Sequence, residues 1–386
     1  MSKLVNKPAI FLLFIILLIA ACKDPFTPRV EAQYKNLLVV EGFINIGGQT
    51  TIQLSRTGDL NDWQSLIPEK DAQVTIEGEH GTHLSGTSDS NGKCVLSTLD
   101  LDLSERYLLK IITNGKTYQT NYLENKKSPE IDSISFRVEN KGFQIFVNTH
   151  DDANQTRYYN WDYTETWEIR SAFPSSVEYK SGKVVPRDPN VNIQYCWASN
   201  RSSAILLGSS ERLKEDRLTM IPINHVPGNS VKVVYMYSIL ATQYGLTREA
   251  YQYLEIMKKN TEQIGTIFDA QPSEIKGNVI CLSDPEEQVL GWISAGTVAK
   301  KRLFISYKDK PARGASEDWM YIQRCEPFVS PKDSLLYYLN ARNLIISENV
   351  FPQPGGNVWI NYTMAREECI DCRLRGSNLK PDYWPE

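Results

Sequence analysis

Arg106-Tyr107-Leu108-Leu109-Lys110-Ile111-Ile112-Thr113-Asn114-Gly115-Lys116-Thr117-Tyr118-Gln119-Thr120-Asn121-Tyr122 is the stretch on which the fold turns. Two runs rich in β-branched and aromatic residues flank Asn114-Gly115, and that dipeptide favours the positive φ angles of a two-residue hairpin turn. Upstream, residues 37–44, 50–54, 72–77, 82–85 and 93–97 read as short strands separated by Gly, Asn, Asp and Ser. Strands of this length with turn signals at short intervals predict a β-sandwich of roughly 90 residues. Its expected span is 37–128, and the polar stretch 124–129 is the expected boundary.

The rest of the chain repeats the pattern with longer strands. Residues 133–138 and 143–148 flank Asn140-Lys141-Gly142, a second hairpin signal. Residues 157–169 alternate, with Tyr159, Trp161, Tyr163 and Trp167 on one face and Asn160, Asp162, Thr164, Thr166 and Glu168 on the other. Only Glu165 breaks the aromatic face, so the run reads as a half-buried strand. A loop is expected over 171–191 and strands over 231–243, 278–282, 288–294, 301–307 and 357–362. Thr247 is placed to cap a helix over 247–260, with Ala250, Tyr251, Leu254 and Met257 as its apolar stripe. A second short helix is expected over 335–344. The fold class is mainly β: tandem β-sandwich domains, immunoglobulin/fibronectin-like, with one inserted helix in the second, which is expected to span 129–386 and to end in a C-x-x-C tail.

The N-terminus sets the address. Lys3 and Lys7 precede an apolar run over residues 9–21 that is too short for a membrane span and ends in small residues. Ile19-Ala20-Ala21-Cys22 resembles the bacterial lipoprotein lipobox, which implies a signal peptide over 1–21, cleavage before Cys22 and lipid on its sulfur. Residues 22–36, with Pro25 and Pro28, then read as a tether. Several acyl chains on one cysteine make such an anchor effectively permanent, since each buried methylene contributes about 0.8 kcal/mol.

Without the leader's two lysines the chain carries 40 basic and 46 acidic side chains, about −6 overall, with no basic block. That balance argues against nucleic acid as a partner. Six cysteines remain beside Cys22: Cys94, Cys196, Cys281, Cys325, Cys369 and Cys372. An even number outside the cytoplasm points to disulfides. Cys369-Ile370-Asp371-Cys372 lacks the βαβ setting of a redox motif and is expected to be a structural disulfide, either local or to Cys325. Cys196 with Cys281 is the expected second bridge, and Cys94 has no obvious mate.

No other cluster carries chemistry. His80-Gly81-Thr82-His83, with Glu77 and Glu79, has metal-ligand spacing but falls on a turn. Residues 86–94 miss the phosphate-loop spacing. His150-Asp151-Asp152-Ala153-Asn154 lacks the EF-hand glycine and reads as a solvated turn. The aromatic face of 157–169 is expected to be core rather than a stacking platform, and the 171–191 loop is the better candidate for partner contact. No catalytic residue, metal site or cofactor is expected, and the ligand is unknown.

Several stretches carry a family resemblance: Tyr158-Tyr159-Asn160-Trp161 with Glu165-Thr166-Trp167; Tyr237-Ser238-Ile239-Leu240 leading to Leu246-Thr247-Arg248-Glu249-Ala250-Tyr251; the block from Asn260 through Gly265 and Asp269-Ala270-Gln271-Pro272; Val289-Leu290-Gly291-Trp292-Ile293-Ser294-Ala295; and Glu368-Cys369-Ile370-Asp371-Cys372-Arg373 with Pro381 and Trp384. In these the chain resembles the domain-of-unknown-function 4249 lipoproteins of the Gram-negative outer membrane. The resemblance implies a lipid-anchored outer-membrane protein facing the cell exterior, often accompanying a TonB-dependent transporter, and it carries over no catalytic residue. The expected function is that of a non-enzymatic accessory or ligand-capturing partner of such a transporter; a structural or adhesive surface lipoprotein is the alternative. Replacing the lipidated sulfur tests the address. Cys22→Ser is expected to leave folding intact and move the protein from the membrane fraction to the soluble one; continued sedimentation with membranes would reveal a second attachment.

Overall fold

The computed structural model describes residues 36–58, 66–262, 276–311, 317–319, 321, 324–352, 355–356 and 358–386. The signal peptide, Cys22, the tether up to residue 35 and the 265–272 block lie outside the described residues. Among the described residues no helix is long and apolar enough to cross a membrane.

The first sandwich is built from β1 (Leu38–Asn45), β2 (Gly48–Thr57), β3 (Leu66–Pro68), β4 (Gln73–Gly78), β5 (His83–Thr87), β6 (Lys93–Thr98), β7 (Tyr107–Thr113), β8 (Lys116–Thr120) and the short β9 (Asn125–Lys126). Asn114 (φ +49°) and Gly115 (φ +74°) make the turn between β7 and β8, with Thr113 opposite Lys116. The inward residues alternate along each strand, as in Leu38 and Val40 of β1, Val74 and Ile76 of β4, and Tyr107, Leu109 and Ile111 of β7.

The second sandwich comprises β10 (Ile131–Glu139), β11 (Gly142–Asp151), β12 (Tyr158–Arg170), β15 (Tyr195–Arg201), β16 (Leu206–Ser209), β17 (Asp216–Pro227) and β18 (Met236–Gly245), followed by helix α1 (Arg248–Glu262); between β12 and β15 the chain makes a separate hairpin, β13–β14 (Val177–Lys180, Lys183–Pro186). One sheet runs β10-β11-β17; the other is centred on β12, flanked by β15 and β18. Trp161 and Tyr159 of β12 are fully buried between them, and Tyr163 and Trp167 pack on the same core. Thr247 caps α1, its Oγ1 accepting from the Ala250 amide. Residues 231–233, at the start of the expected 231–243 strand, instead form a 3-10 turn that carries Lys232.

After α1 the chain goes back. Strands β19 (Val279–Cys281), β20 (Val289–Leu290) and β21 (Ser294–Gly296) return to the first sandwich before β22 (Val298–Ser306) joins β18 in the second. β19 extends the β7–β8 sheet, while β20 and β21 run parallel to β1. The first domain is therefore discontinuous: 37–128 is completed by 277–296, and 129–386 is not one uninterrupted domain. Two- and three-residue strands carry too little periodicity to declare a long-range parallel partner. Gly291 (φ +124°) permits the close approach, since a Cβ there would lie 1.9 Å from the Val40 carbonyl oxygen.

A third, smaller unit holds β23 (Phe328–Pro331), α2 (Leu335–Asn340), β24 (Asn343–Pro352), β25 (Val358–Arg366) and the short α3 (Glu367–Ile370). The expected loop 171–191 belongs to it. Val177 and Val184 of β13–β14 pack beside Leu335, Ile345, Tyr362 and Met364, and Ser175 donates to the Ile345 carbonyl at 2.6 Å. Val177 and Val184 face that core, while Tyr179 and residues 180–183 at the hairpin turn are exposed.

The cysteines pair as Cys196–Cys372 and Cys325–Cys369. Cys369 and Cys372 do not bridge each other: Cys369 lies among Ile193, Ala365 and Ile370, whereas Cys372 lies with Ile169 and Cys196. Nor does Cys281 meet Cys196, because β19 carries Cys281 into the first sandwich, where Cys281 and Cys94 are buried free thiols. The two bridges span 176 and 44 residues of chain. Removing Cys325–Cys369 by double Ser replacement is expected to cost about 2–4 kcal/mol. The loss should fall on the third unit, read as early proteolysis after residue 324 with β7–β8 amides still protected from hydrogen exchange.

Candidate functional site

A cleft of about 700 Å³ opens at one end of the first sandwich, lined by Asn36, Arg56, Asn114, Lys116, Tyr118, Asp284 and Glu287 among others. Its charged and phenolic groups come from three places. Arg56 follows Leu54 on the inward register of β2, Lys116 and Tyr118 lie on β8, and Asp284 and Glu287 lie on the returning segment after β19; Glu69, just after β3, is the partner of Arg56.

Arg56 and Glu69 are both buried, and the Arg56 Nε donates to Glu69 Oε2 at 2.6 Å. Burying a charge is costly unless it is paired and hydrogen-bonded. Glu69 is satisfied further by the Thr113 hydroxyl and by Asn114 Nδ2 at 2.7 Å. Arg56 reaches the Asn36 carbonyl at 3.1 Å, and its Nη1 lies 3.7 Å from Glu287. The Tyr118 hydroxyl donates to Glu287 Oε1 at 2.8 Å, and Lys116 pairs with Glu287 and, at 3.3 Å, with Asp284.

The protonation states follow from these contacts. Burial disfavours the Arg56 guanidinium, but hydrogen bonds to Glu69 and Tyr118 outweigh it and hold its pKa above the ordinary value. Burial pushes the Glu287 carboxyl up, yet Lys116 and Tyr118 more than reverse this and hold it below the usual range. Lys116 is raised, chiefly by its hydrogen bond to Glu287. Burial raises the Tyr118 phenol. At neutral pH the cleft therefore presents two fixed cations threaded between carboxylates, with a neutral phenol between them.

A second buried ion pair explains the break in the aromatic face of β12. Glu165 is 2% exposed and pairs with Lys232, while the Tyr237 hydroxyl donates to its Oε2 at 3.0 Å. The Lys232 ammonium also lies over the Trp167 ring, 5.1 Å from its centroid. This is a bracing contact inside the second sandwich.

The other sequence candidates are dispersed. His80 and His83 are exposed on the β4–β5 turn, where Glu79 pairs with Arg106 and Glu77 with Lys110. Asp151 accepts from the amides of Ala153, Gln155 and Thr156, so its segment is a self-capped turn. Among the described residues no three His, Cys, Asp or Glu side chains converge on a metal-sized site. Sequence reading passed over Arg56, Glu69, Tyr118 and Glu287; the available signal was Arg56 standing two residues after Leu54, on the inward register of an otherwise apolar strand.

The two sandwiches meet on the same segments. Phe43 of β1 packs edge-on against Tyr244 of β18 with ring centroids 4.9 Å apart, and Tyr253 of α1 packs on Trp292 at 5.4 Å. Among solved structures the chain is similar to a two fibronectin type-III domain segment from chicken tenascin, at 11% identity and a TM-score of 0.17, covering 54% of this chain and 90% of that one. No curated relative matches the chain. The family model of a domain of unknown function, DUF4249, matches residues 23–302, which include the cleft and end within β22. The chain belongs to the DUF4249 family.

Proposed function

We propose that the chain is a non-enzymatic lipoprotein of the outer membrane, facing the cell exterior, that serves as an accessory or ligand-capturing partner of a TonB-dependent transporter. The observation that carries this reading is the position of the cleft. Asn36, the last residue of the expected 22–36 tether, lines its mouth beside Leu37, so the charged cavity lies next to the tether's end. Thirteen residues, 23–35, separate Cys22 from Asn36, and a chain of that length reaches at most about 50 Å. A lipid at Cys22 confines the cleft to a thin layer above the bilayer. Confinement raises the effective concentration of cleft and transporter for one another, so a modest interface suffices.

The electrostatics favour capture over turnover. General-acid catalysis wants a carboxyl raised toward neutrality, and Glu287 is shifted the other way. The cations are held by carboxylates rather than left to activate a nucleophile. What the cleft offers a ligand is a fixed set of donors and acceptors, suited to a small polar solute.

Solubilisation of the lipidated protein in mild detergent, followed by native pull-down, is expected to bring a β-barrel transporter with it. Recovery of the protein alone would sink the reading. Recovery should be flat between pH 6 and 9, because Glu287 is held below the usual carboxylate range while Arg56, Lys116 and Tyr118 are held above their ordinary values. The stabilising share of Glu287, complete above its ordinary value of 4.5, is lost only as pH falls through its lower folded value. Arg56→Ala leaves Glu69 buried and unpaired and is expected to cost about 3 kcal/mol in urea unfolding. Lys116→Ala, with its more exposed side chain, should leave the melting temperature near that of the parent, making it the variant with which to test ligand capture.

A further inference from the structure

The donors that line the cleft are already engaged inside the protein. Arg56 gives Nε to Glu69 at 2.6 Å, Nη1 to the Asn36 carbonyl at 3.1 Å and Nη2 to the Tyr118 hydroxyl at 3.5 Å. That hydroxyl donates to Glu287 at 2.8 Å, and Asn114 Nδ2 donates to Glu69 at 2.7 Å. Lys116 directs two of its three hydrogens to Glu287 and to Asp284 Oδ2. The acceptors, by contrast, are open. Among the described residues Asp284 Oδ1 has no donor, and Glu286, which lines the same wall, is exposed and has no partner. One tight turn, Asp284-Pro285-Glu286-Glu287, presents both carboxylates. The Glu287 amide closes it on the Asp284 carbonyl at 3.0 Å, and Pro285 takes the second position, which its fixed φ suits.

Formal charge points the same way. Asp284, Glu286 and Glu287 outnumber Arg56 and Lys116 on the cavity lining, and Glu69 behind that lining cancels the guanidinium it holds. The cleft with its backing is therefore two charges negative, and low-dielectric walls focus such a field into the cavity.

We propose that the cleft binds a small organic cation, a solute carrying primary amine or guanidinium groups, with Asp284 and Glu286 as its acceptors. An anion finds both cations already neutralised and meets a field of its own sign. A bare metal ion needs converging ligands, and among the described residues no three His, Cys, Asp or Glu side chains converge. The carboxylates stand instead around a cavity of about 700 Å³, within the size range of small-molecule sites. Ammonium and guanidinium groups carry several hydrogens each, which acceptors spread in this way require. A flat neutral ligand has little to stack on, since Tyr118 is fully buried and Leu37 nearly so. The inference deepens the capture half of the proposed function and is independent of the transporter half.

Titration calorimetry tests it on the full lipidated chain in neutral detergent, in an amine-free buffer of low ionic strength near neutral pH. The probes share a four-carbon chain: butane-1,4-diamine, butane-1,4-diol and succinate. The diamine is expected to bind about tenfold more tightly than the diol, succinate is expected not to bind, and physiological salt should weaken the diamine several-fold. Asp284→Asn with Glu286→Gln should hold the parent's melting temperature and weaken the diamine about tenfold. Glu286→Gln alone removes an exposed, unpartnered charge, so it reads the same loss, about threefold, even if the paired variant melts early. Lys116→Ala should tighten the diamine several-fold, because a competing ammonium leaves Asp284 and Glu287. No diamine binding by the parent, diol or succinate binding as tightly, undiminished binding in Glu286→Gln, or weaker binding in Lys116→Ala each overturns the proposal. Transporter recovery is read separately. A co-purifying barrel beside a cleft that ignores the diamine sinks this inference alone, whereas diamine binding without a barrel sinks only the transporter reading.

Discussion

The parallel pairing of β1 with β20 and β21 is the constraint on which the rest of the body depends. Leu38 meets Val289 and Ile44 meets Ala295 across a sequence gap of some 250 residues. Without those strands one flank of β1 is an open edge, and Val289, Ile293 and Ala295 are missing from a core they now complete. The chain can bring them home only after it has gone out through β10–β18 and turned at α1. Long-range pairings of this kind carry their loop-closure cost before they bring any contact energy. Tyr253 of α1 against Trp292, and Phe43 of β1 against Tyr244 of β18, then hold the two sandwiches together.

The local elements were legible because their signals are local. Asn114-Gly115 and Asn140-Lys141-Gly142 announce turns by the φ angles they tolerate, and the structure places positive φ at Asn114, Asn140 and Lys141. The alternation of Tyr159 and Trp161 announces a buried face, and Thr247 announces a helix start. The returning strands were legible as β but not as part of the first sandwich, since Val279–Cys281 and Ser294–Gly296 are three residues long and pairing partners leave no mark in a single sequence. The 171–191 segment misled for the opposite reason: Ser181 and Gly182 turn a genuine hairpin whose apolar content, Val177 and Val184, is too sparse to show a period.

The cleft was opaque for the same physical cause. Its pairings join Arg56 to Glu69 and Tyr118 to Glu287, side chains that only the closed sandwich assembles. In sequence Arg56, Glu69 and Glu287 read as ordinary surface charges, and Tyr118 as one of 20 tyrosines. Glu165 is the instructive contrast. It interrupts an aromatic face of known period, so a polar break in the core could be read directly, although not its partner Lys232. Cysteine identity could be read as well, but pairing could not: Cys369 and Cys372, three residues apart around a helical turn, feed two different cores.

The third unit carries a structural problem that its disulfides answer. Its cores are small, four buried residues around Cys369 and four around Leu335, and cores of that size seldom stabilise a unit without a covalent or metal staple. It must also hold the β24–β25 ribbon out in solvent with Phe351 and Trp359 uncovered, a conformation that competing collapse of those rings onto the body would erase. Both bridges lie at the base of this unit, one to β15 and one to the segment before β23. They restrict the unfolded alternatives without touching the tip. The first sandwich, with a large core, leaves Cys94 and Cys281 reduced. Covalent stiffening is thus placed where apolar burial is weakest and where apolar side chains are kept exposed.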